Sequence, residues 1–473
     1  MTISRHRLAS SVLVLAGTAG CSVLLPNNRA ALQARAAVVA GDANAALAAL
    51  EGGTDLPARL DRATILADMG RPQESNAEFD RALDLIRRYE ERATVSATET
   101  ARGAGSVLVN DKTLEYQGEG FEKVLLHALK ARNYLLLGDE EAARVEIRNA
   151  NLRQDEERRR HAEEIERARK DAKELELDWS KLEPQIDQRF MAAADALRRL
   201  DNVYQNPFAS YLSAVVYEAN GEPDLAFVDY KLAYGMVPNR LTTTDLVRVA
   251  IRENRRDEVT RLGVAVPRKP PAAPGNTLVI VDEGFAPRRD EVKFPLPSPG
   301  GLLFVAVPIS TTVPSDFGSV EVHDAAGKLL GTSEPMVDIE AMSVRNLRDR
   351  YPAILVRQLI RLVAKGVMAD EARRQMGNAG VVLATVFNAV TEQADLRAWY
   401  ALPRAIHVAR VQTAADADRV GVRVLDRNGG AVHDAEVPLA TTRSGLKLGL
   451  LRYLPGRAIG IRLAGSPPAG RAP

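Results

Sequence analysis

Residues 116–154 read YQGEGFEKVLLHALKARNYLLLGDEEAARVEIRNANLRQ, and the glycine near their middle, Gly138, sets the register of the first half of the chain. Ala131 stands 7 residues before it, and Ala143, Ile147 and Ala150 follow at 5, 9 and 12 residues. The same offsets recur around Gly221 (Ala214, Ala226, Tyr230, Ala233), Gly70 (Ala63, Ser75, Phe79, Ala82) and Gly41 (Ala34, Ala46, Leu50). Small residues before and after the glycine let two helices approach closely, and the larger residue four positions on fills the wedge between neighbouring pairs. The glycine ends the first helix in a left-handed conformation that other residues adopt at a cost. Gly41-Asp42 and Gly138-Asp139 add an acid at the start of the next helix, where the helix dipole favours it.

These offsets resemble the tetratricopeptide pattern, whose period is about 34 residues. The glycines lie 29, 68 and 83 residues apart, so two insertions interrupt the array, near 92–118 and 152–205. The first holds GAGSVLVNDKTLEYQGEG, two glycine-bounded strand-like runs that predict a hairpin or an ordered loop. The second is charged, with 8 basic and 10 acidic residues from Arg153 to Asp178. Beneath the charges run two stripes spaced 3 and 4 alternately: Ile165, Ala168, Ala172, Leu175, Trp179, Leu182, then Phe190, Ala193, Leu197, Leu200, Tyr204. With Pro184 ending the first stripe, they predict an antiparallel coiled-coil hairpin, its face solvated or a docking arm for another protein.

Outward from the repeats the pattern changes. Val266–Asn276, VPRKPPAAPGN, holds four prolines and reads as a semi-rigid linker. Beyond it Thr277–Val281, Leu302–Val307, Ser319–His323, Ile406–Val411 and Val420–Leu425 read as strands, with turns at Gly300-Gly301, Ala326-Gly327 and Asn428-Gly429-Gly430. Helical stretches near Ala341–Arg350, Ala353–Gln375 and Val381–Val390 lie between them, so an α+β domain with helices on one sheet is expected. The expected fold is multidomain: an α-helical, tetratricopeptide-like solenoid over 31–262 with a coiled-coil hairpin insertion, a linker over 263–276, an α+β domain over 277–463 and a loose tail over 464–473.

At the other end, MTISRHRLASSVLVLAGTAGC has a basic start (Arg5, His6, Arg7), about nine apolar residues and then small ones, the layout of a secretory signal too short to span a bilayer. The chain's single cysteine, Cys21, follows Ala19-Gly20 and resembles a bacterial lipobox, although Thr18 stands where leucine is usual. The resemblance implies a signal peptide over 1–20, lipid attachment at Cys21 and a short tether over 21–30. Ser22 after the cysteine resembles an outer-membrane address, which places the protein in the cell envelope, lipid-anchored and facing the periplasm.

Chemistry is sparse. With 63 Lys+Arg against 62 Asp+Glu the net charge is +1, which argues against nucleic-acid binding through a bulk positive field. One cysteine excludes an internal disulfide framework and a cysteine-clustered zinc site. There is no phosphate-binding loop, no Gly-x-Ser-x-Gly elbow and no His-Glu-x-x-His; His161-Ala162-Glu163-Glu164 lacks a second histidine. No catalytic, cofactor or metal residue is therefore assigned. Two patches offer interface chemistry: Tyr116 and Phe121 ahead of the third repeat, and Arg397 with Trp399 in DLRAWYALP. The alternative is that Trp399 plugs the core while Arg397 pairs with Asp395.

The lipobox, the 116–154 stretch, GNTLVIVDEGFAPRRDEV and EQADLRAWYALP together resemble a family of bacterial lipoproteins with tetratricopeptide repeats. No activity is defined for that family, so no catalytic residue carries over. The resemblance implies a scaffold in cell-envelope assembly that binds envelope proteins through the repeat groove and the membrane through Cys21. The alternative is glycan or small-molecule binding, or hydrolysis, in the C-terminal domain near Asp282, Glu283, Arg288 and Arg397.

Overall fold

The computed structural model describes residues 28–99, 115–174, 179–200, 203, 206–268, 275–298, 301–376 and 393–464. The signal segment with Cys21, the strand-like runs of the first insertion, residues 269–274 of the linker, the Val381–Val390 stretch, Leu175, Tyr204 and residues 465–473 lie outside them.

Helices α1 (Arg29–Ala40) and α2 (Ala43–Ala49), α3 (Leu56–Asp68) and α4 (Pro72–Glu99), and α5 (Gly120–Leu136) and α6 (Glu140–Glu174) form three pairs. The second insertion supplies α7 (Trp179–Phe190) and α8 (Ala194–Arg198). Then come the pairs α9 (Pro207–Ala219) with α10 (Pro223–Met236) and α11 (Arg240–Arg252) with α12 (Arg256–Arg261). Gly41, Gly70, Gly138 and Gly221 all have φ between +70° and +82°, and every offset residue named above is buried. The N–H after each glycine closes the turn on a carbonyl five residues back, as Asp139 does on Tyr134 at 2.9 Å. Asp42 and Asp139 cap the helices they begin, accepting from the amides of Ala45 and Ala142. The fifth pair escapes a search for glycine because Asn254 takes the left-handed position at φ 56°, and Arg255 closes the same turn on Ala250.

The charged insertion is not a self-paired hairpin among the described residues. Ile186 and Phe190 of α7, with Ala193 and Ala196, pack against Phe294, Val305 and Val307 and against the long helix Ile339–Met376. Pro184 lies inside α7 rather than ending a helix. Of the second stripe Phe190 and Ala193 are buried and Leu197 and Leu200 half-buried, but its spacing carries no information about what covers them.

The second half contains β1 (Thr277–Glu283), β2 (Arg288–Ser298), β3 (Gly301–Thr311), β4 (Phe317–His323), β5 (Leu329–Thr332), β6 (Glu334–Asp338) and α13 (Ile339–Met376). It continues with β7 (Ala405–Val411), β8 (Arg419–Asp426), β9 (Ala431–Pro438), β10 (Ala440–Thr441), β11 (Lys447–Leu454) and β12 (Arg457–Gly460). One sheet runs β10-β11-β1-β7-β6, with β12 also on β11; a second runs β5-β4-β8-β9; β2 and β3 form a separate ribbon. β1 is parallel to β11 and antiparallel to β7.

Where the sequence leads one to expect helices on a single sheet, the second half holds two stacked sheets. Leu278, Ile280, Ile406, Val408, Leu448 and Leu450 turn one face of the first sheet toward the helix pairs and join their hydrophobic cluster. Val279, Val281, Ala409, Val411 and Leu451 turn the other face onto Val320, Val322, Val422 and Val424 of the second sheet. The order is helices, sheet, sheet. Coverage on both sides explains the apolar runs Leu278–Val281 and Leu448–Leu451, and every residue of β1 and β11 is buried. α13 likewise runs through Pro352 as one helix instead of two, because Val344, Leu347, Tyr351 and Leu355 keep one buried face across the proline. An interior proline costs about 3 kcal/mol, which that face offsets.

Candidate functional sites: a seam, a cleft and an outer face

The two patches singled out in the sequence come together, and they meet inside the molecule. Glu119 precedes α5 and accepts from Arg289 (2.5 Å), Asn346 (2.9 Å) and Arg350. Burial pushes its carboxyl up, but the two guanidiniums outweigh burial and hold it well below the usual range. Glu122, one turn on, accepts from the Tyr116 hydroxyl (2.7 Å) and from the amides of Glu119 and Trp399 (2.9 Å each). Burial and the neighbouring Glu119 charge push the Glu122 carboxyl up. The segment 395–403 thus straps across the start of α5. Trp399, 1% exposed, donates from its indole to Thr64 of α3 at 2.9 Å and stands edge-on to Phe79. Phe121 and Tyr116 are buried too, and Arg397 pairs with Asp395 while its guanidinium lies 5.7 Å from the Tyr116 ring centre. The aromatic and arginine chemistry of an interface is present, but it closes the helical half onto the sheet half of the same chain.

The same closure runs along the whole array. Arg132 of α5 pairs with Asp282 of β1 at 2.7 Å, both 1% exposed. Arg410 of β7 reaches Asp245 of α11 (3.0 Å) and Glu218 of α9 (3.2 Å), and Arg452 of β11 faces Asp68 of α3. The first helix of each pair therefore contributes to the face that meets the sheet, a burial no local sequence pattern announces because the partners lie 150 or more positions away.

The four residues proposed for a ligand or hydrolytic site are not brought together. Asp282 is in the buried pair just described, Arg288 is exposed beside Asp290, and Arg397 lies at the seam. Glu283 alone stands behind a cleft of about 550 Å³ lined by Arg35, Val39, Phe285, Val313, Tyr453 and Pro455, among others. Gly284, at φ 53°, turns the chain there and donates to the Tyr453 carbonyl at 2.8 Å. Glu283 meets His407 Nε2 at 3.0 Å and Arg404 at 2.8 Å. Burial opposes its ionisation, yet the His407 and Ser315 hydrogen bonds and the Arg404 charge hold its carboxyl at about 2. Ser315 and His407 both address Glu283, so the serine has no histidine base, and the set is an anchored carboxylate rather than a nucleophile with its base. Among the described residues no group of three or more His, Cys, Asp or Glu is placed to hold a metal ion.

The outer face differs. On α10, Leu225, Val228 and Leu232 are 47–49% exposed, spaced 3 and 4 along one side. Val145 and Leu152 of α6 are exposed as well, and Arg144 of α6 pairs at 2.5 Å with Glu222, the residue that precedes α10. Among the described residues no helix is long and apolar enough to cross a membrane.

No family model matches the chain, and no curated protein matches it. Among solved structures it is similar to a crystal structure of MamA, with 12% identity over 48% of this chain and 88% of that one, at a TM-score of 0.27. A MamA fragment from Desulfovibrio magneticus RS-1 aligns at 13% identity over 50% and 92%, again at 0.27. At that score the likeness carries no argument about fold or function.

Proposed function

We propose that this chain is a protein-binding scaffold of the cell envelope, anchored by lipid at Cys21, whose partner docks on the outside of the tetratricopeptide-like pairs. The groove-binding mode expected from the sequence is the less favourable one, since the chain's own sheet lies against the first helix of each pair. The observation that carries the reading is the exposed Leu225–Val228–Leu232 stripe. Its 3 and 4 spacing suits an amphipathic helix that lays an apolar seam on it, so a helical segment of an envelope protein is the occupant. The outer-membrane address rests on the lipobox and Ser22.

A photo-crosslinking residue placed at Val228 of the full chain in cells tests this. One recurrent envelope protein should be captured there and not from the exposed Arg423, and Leu225→Asp with Leu232→Asp should abolish capture while the far-ultraviolet spectrum is unchanged. Equal capture at both positions, or capture that survives the double substitution, would overturn the reading.

A second reading, small-molecule binding, is favoured by the cleft beside Gly284 and Phe285, which α1 and the sheet half line together.

A further inference from the structure

We infer that the cleft beside Gly284 and Phe285 binds an anionic amphiphile, a molecule with an apolar body and one acidic group; this deepens the second reading above. At about 550 Å³ the cleft lies within the size range of small-ligand sites. Its walls are mostly apolar: Val39, Phe285, Val313, Pro314 and Pro455, with Val39 47% and Val313 42% exposed at the mouth.

Two cations line it, and they differ. Arg404 is saturated, its guanidinium shared between Glu283 and Glu340. Arg35 has no ion pair among the described residues: it donates once, to the Ala286 carbonyl at 3.0 Å, and lies over the Phe285 ring at 4.5 Å. Elsewhere in this protein half-buried and buried arginines find carboxylates, as Arg132, Arg289, Arg404 and Arg410 do. Burial lowers the Arg35 guanidinium to about 10, the signature of a cation that has lost water without gaining a counter-ion. Asp61 acts on it only from beyond contact. Arg452, behind Phe285 at 4.8 Å, adds positive charge and is opposed by Asp68 at 3.4 Å. The acid on the cleft itself, Asp316, is exposed at the rim and accepts from the Tyr453 hydroxyl. An acidic head on Arg35 with its apolar body along Phe285, Val313 and Pro455 satisfies both features.

The test is calorimetric titration of the full chain carrying Cys21→Ser, so that no anchor acyl chain competes, with laurate and with uncharged dodecanol below their aggregation concentrations. Laurate is expected to bind about tenfold or more tightly than dodecanol, the difference a charged hydrogen bond supplies. Arg35→Gln should erase that preference, and Val313→Glu, at the exposed mouth, should weaken laurate about tenfold with the fold intact. Equal binding of the two probes, or a preference that survives Arg35→Gln, would overturn the ligand class while leaving a cleft that binds. No binding of either probe would overturn the ligand reading as a whole and leave the scaffold reading untouched.

Discussion

Trp399 and Thr64 are 335 positions apart in the chain and 2.9 Å apart in space. Replacing Thr64 by valine keeps its volume and strands a buried indole N–H, so Thr64→Val should cost about 1–3 kcal/mol in urea unfolding; a loss below about 0.5 kcal/mol would mean that the contact is not formed. The glycine turns offer a second residue-scale contrast. A Cβ on Gly221 would meet nothing within 4 Å, whereas one on Gly70 would fall 1.7 Å from the Arg462 carbonyl oxygen. Gly221→Ala should therefore cost only the left-handed strain, about 1–2 kcal/mol, and Gly70→Ala clearly more; equal losses would contradict the close approach of Arg462 and Leu463 to that turn. Asp61 supplies a pH dependence. Burial raises its carboxyl from 3.8 to about 8, so the folded chain keeps a proton that the unfolded chain releases above about pH 4. Stability from this group is then lost as pH rises toward 8 and levels off beyond. Asp61→Asn should flatten the fall in unfolding midpoint between pH 5 and 8; an unchanged slope would show that other groups cause it.

At the scale of elements, the second amphipathic stripe distinguishes the observed packing from a coiled-coil hairpin. Phe190 lies against Tyr351 of α13, ring centres 5.3 Å apart, in a cluster with the β2–β3 ribbon. Phe190→Ala should cost about 3–5 kcal/mol, the range for a large aromatic core truncation. Ile165→Ala, on the partly exposed α6 arm, should cost under about 1.5 kcal/mol. Similar losses would favour two arms packed on each other. What could be read from sequence at this scale was local. The glycine turns and the small residues around them fall within one helix pair, so their offsets survive in the sequence. Asn254 broke that search by taking a glycine's conformation, and β2 was hidden by Pro295 and Pro297, which an edge strand tolerates because that strand pairs on one side only. β11, KLGLLRYL, shows no apolar–polar alternation because both of its faces are covered, and its period favours no element.

For the whole molecule, the decisive contacts were beyond sequence reading. Arg132 with Asp282, Thr64 with Trp399 and Arg410 with Asp245 join residues 150, 335 and 165 positions apart, and no single-chain pattern records such pairings. The residue types that mark a partner interface were legible in 116–123 and 395–403; that the partner is the other half of the same chain was not. Removing one member of a buried ion pair leaves the other charge stranded, so Arg132→Met should lose about 3–5 kcal/mol, whereas replacing both residues by apolar ones should restore much of it. Failure of the double variant to recover would indicate a wider network around Asp68 and Arg452.

The central claim is that helix pairs and sheet share one core, with the inner face of the array closed by the chain itself and its outer face left for a partner. Scanning calorimetry of the full chain tests it most directly. A single transition, whose calorimetric and van't Hoff enthalpies agree and which Trp399→Ala lowers as a whole, is the predicted result. Two separable transitions, only one of them moved by that substitution, would contradict it.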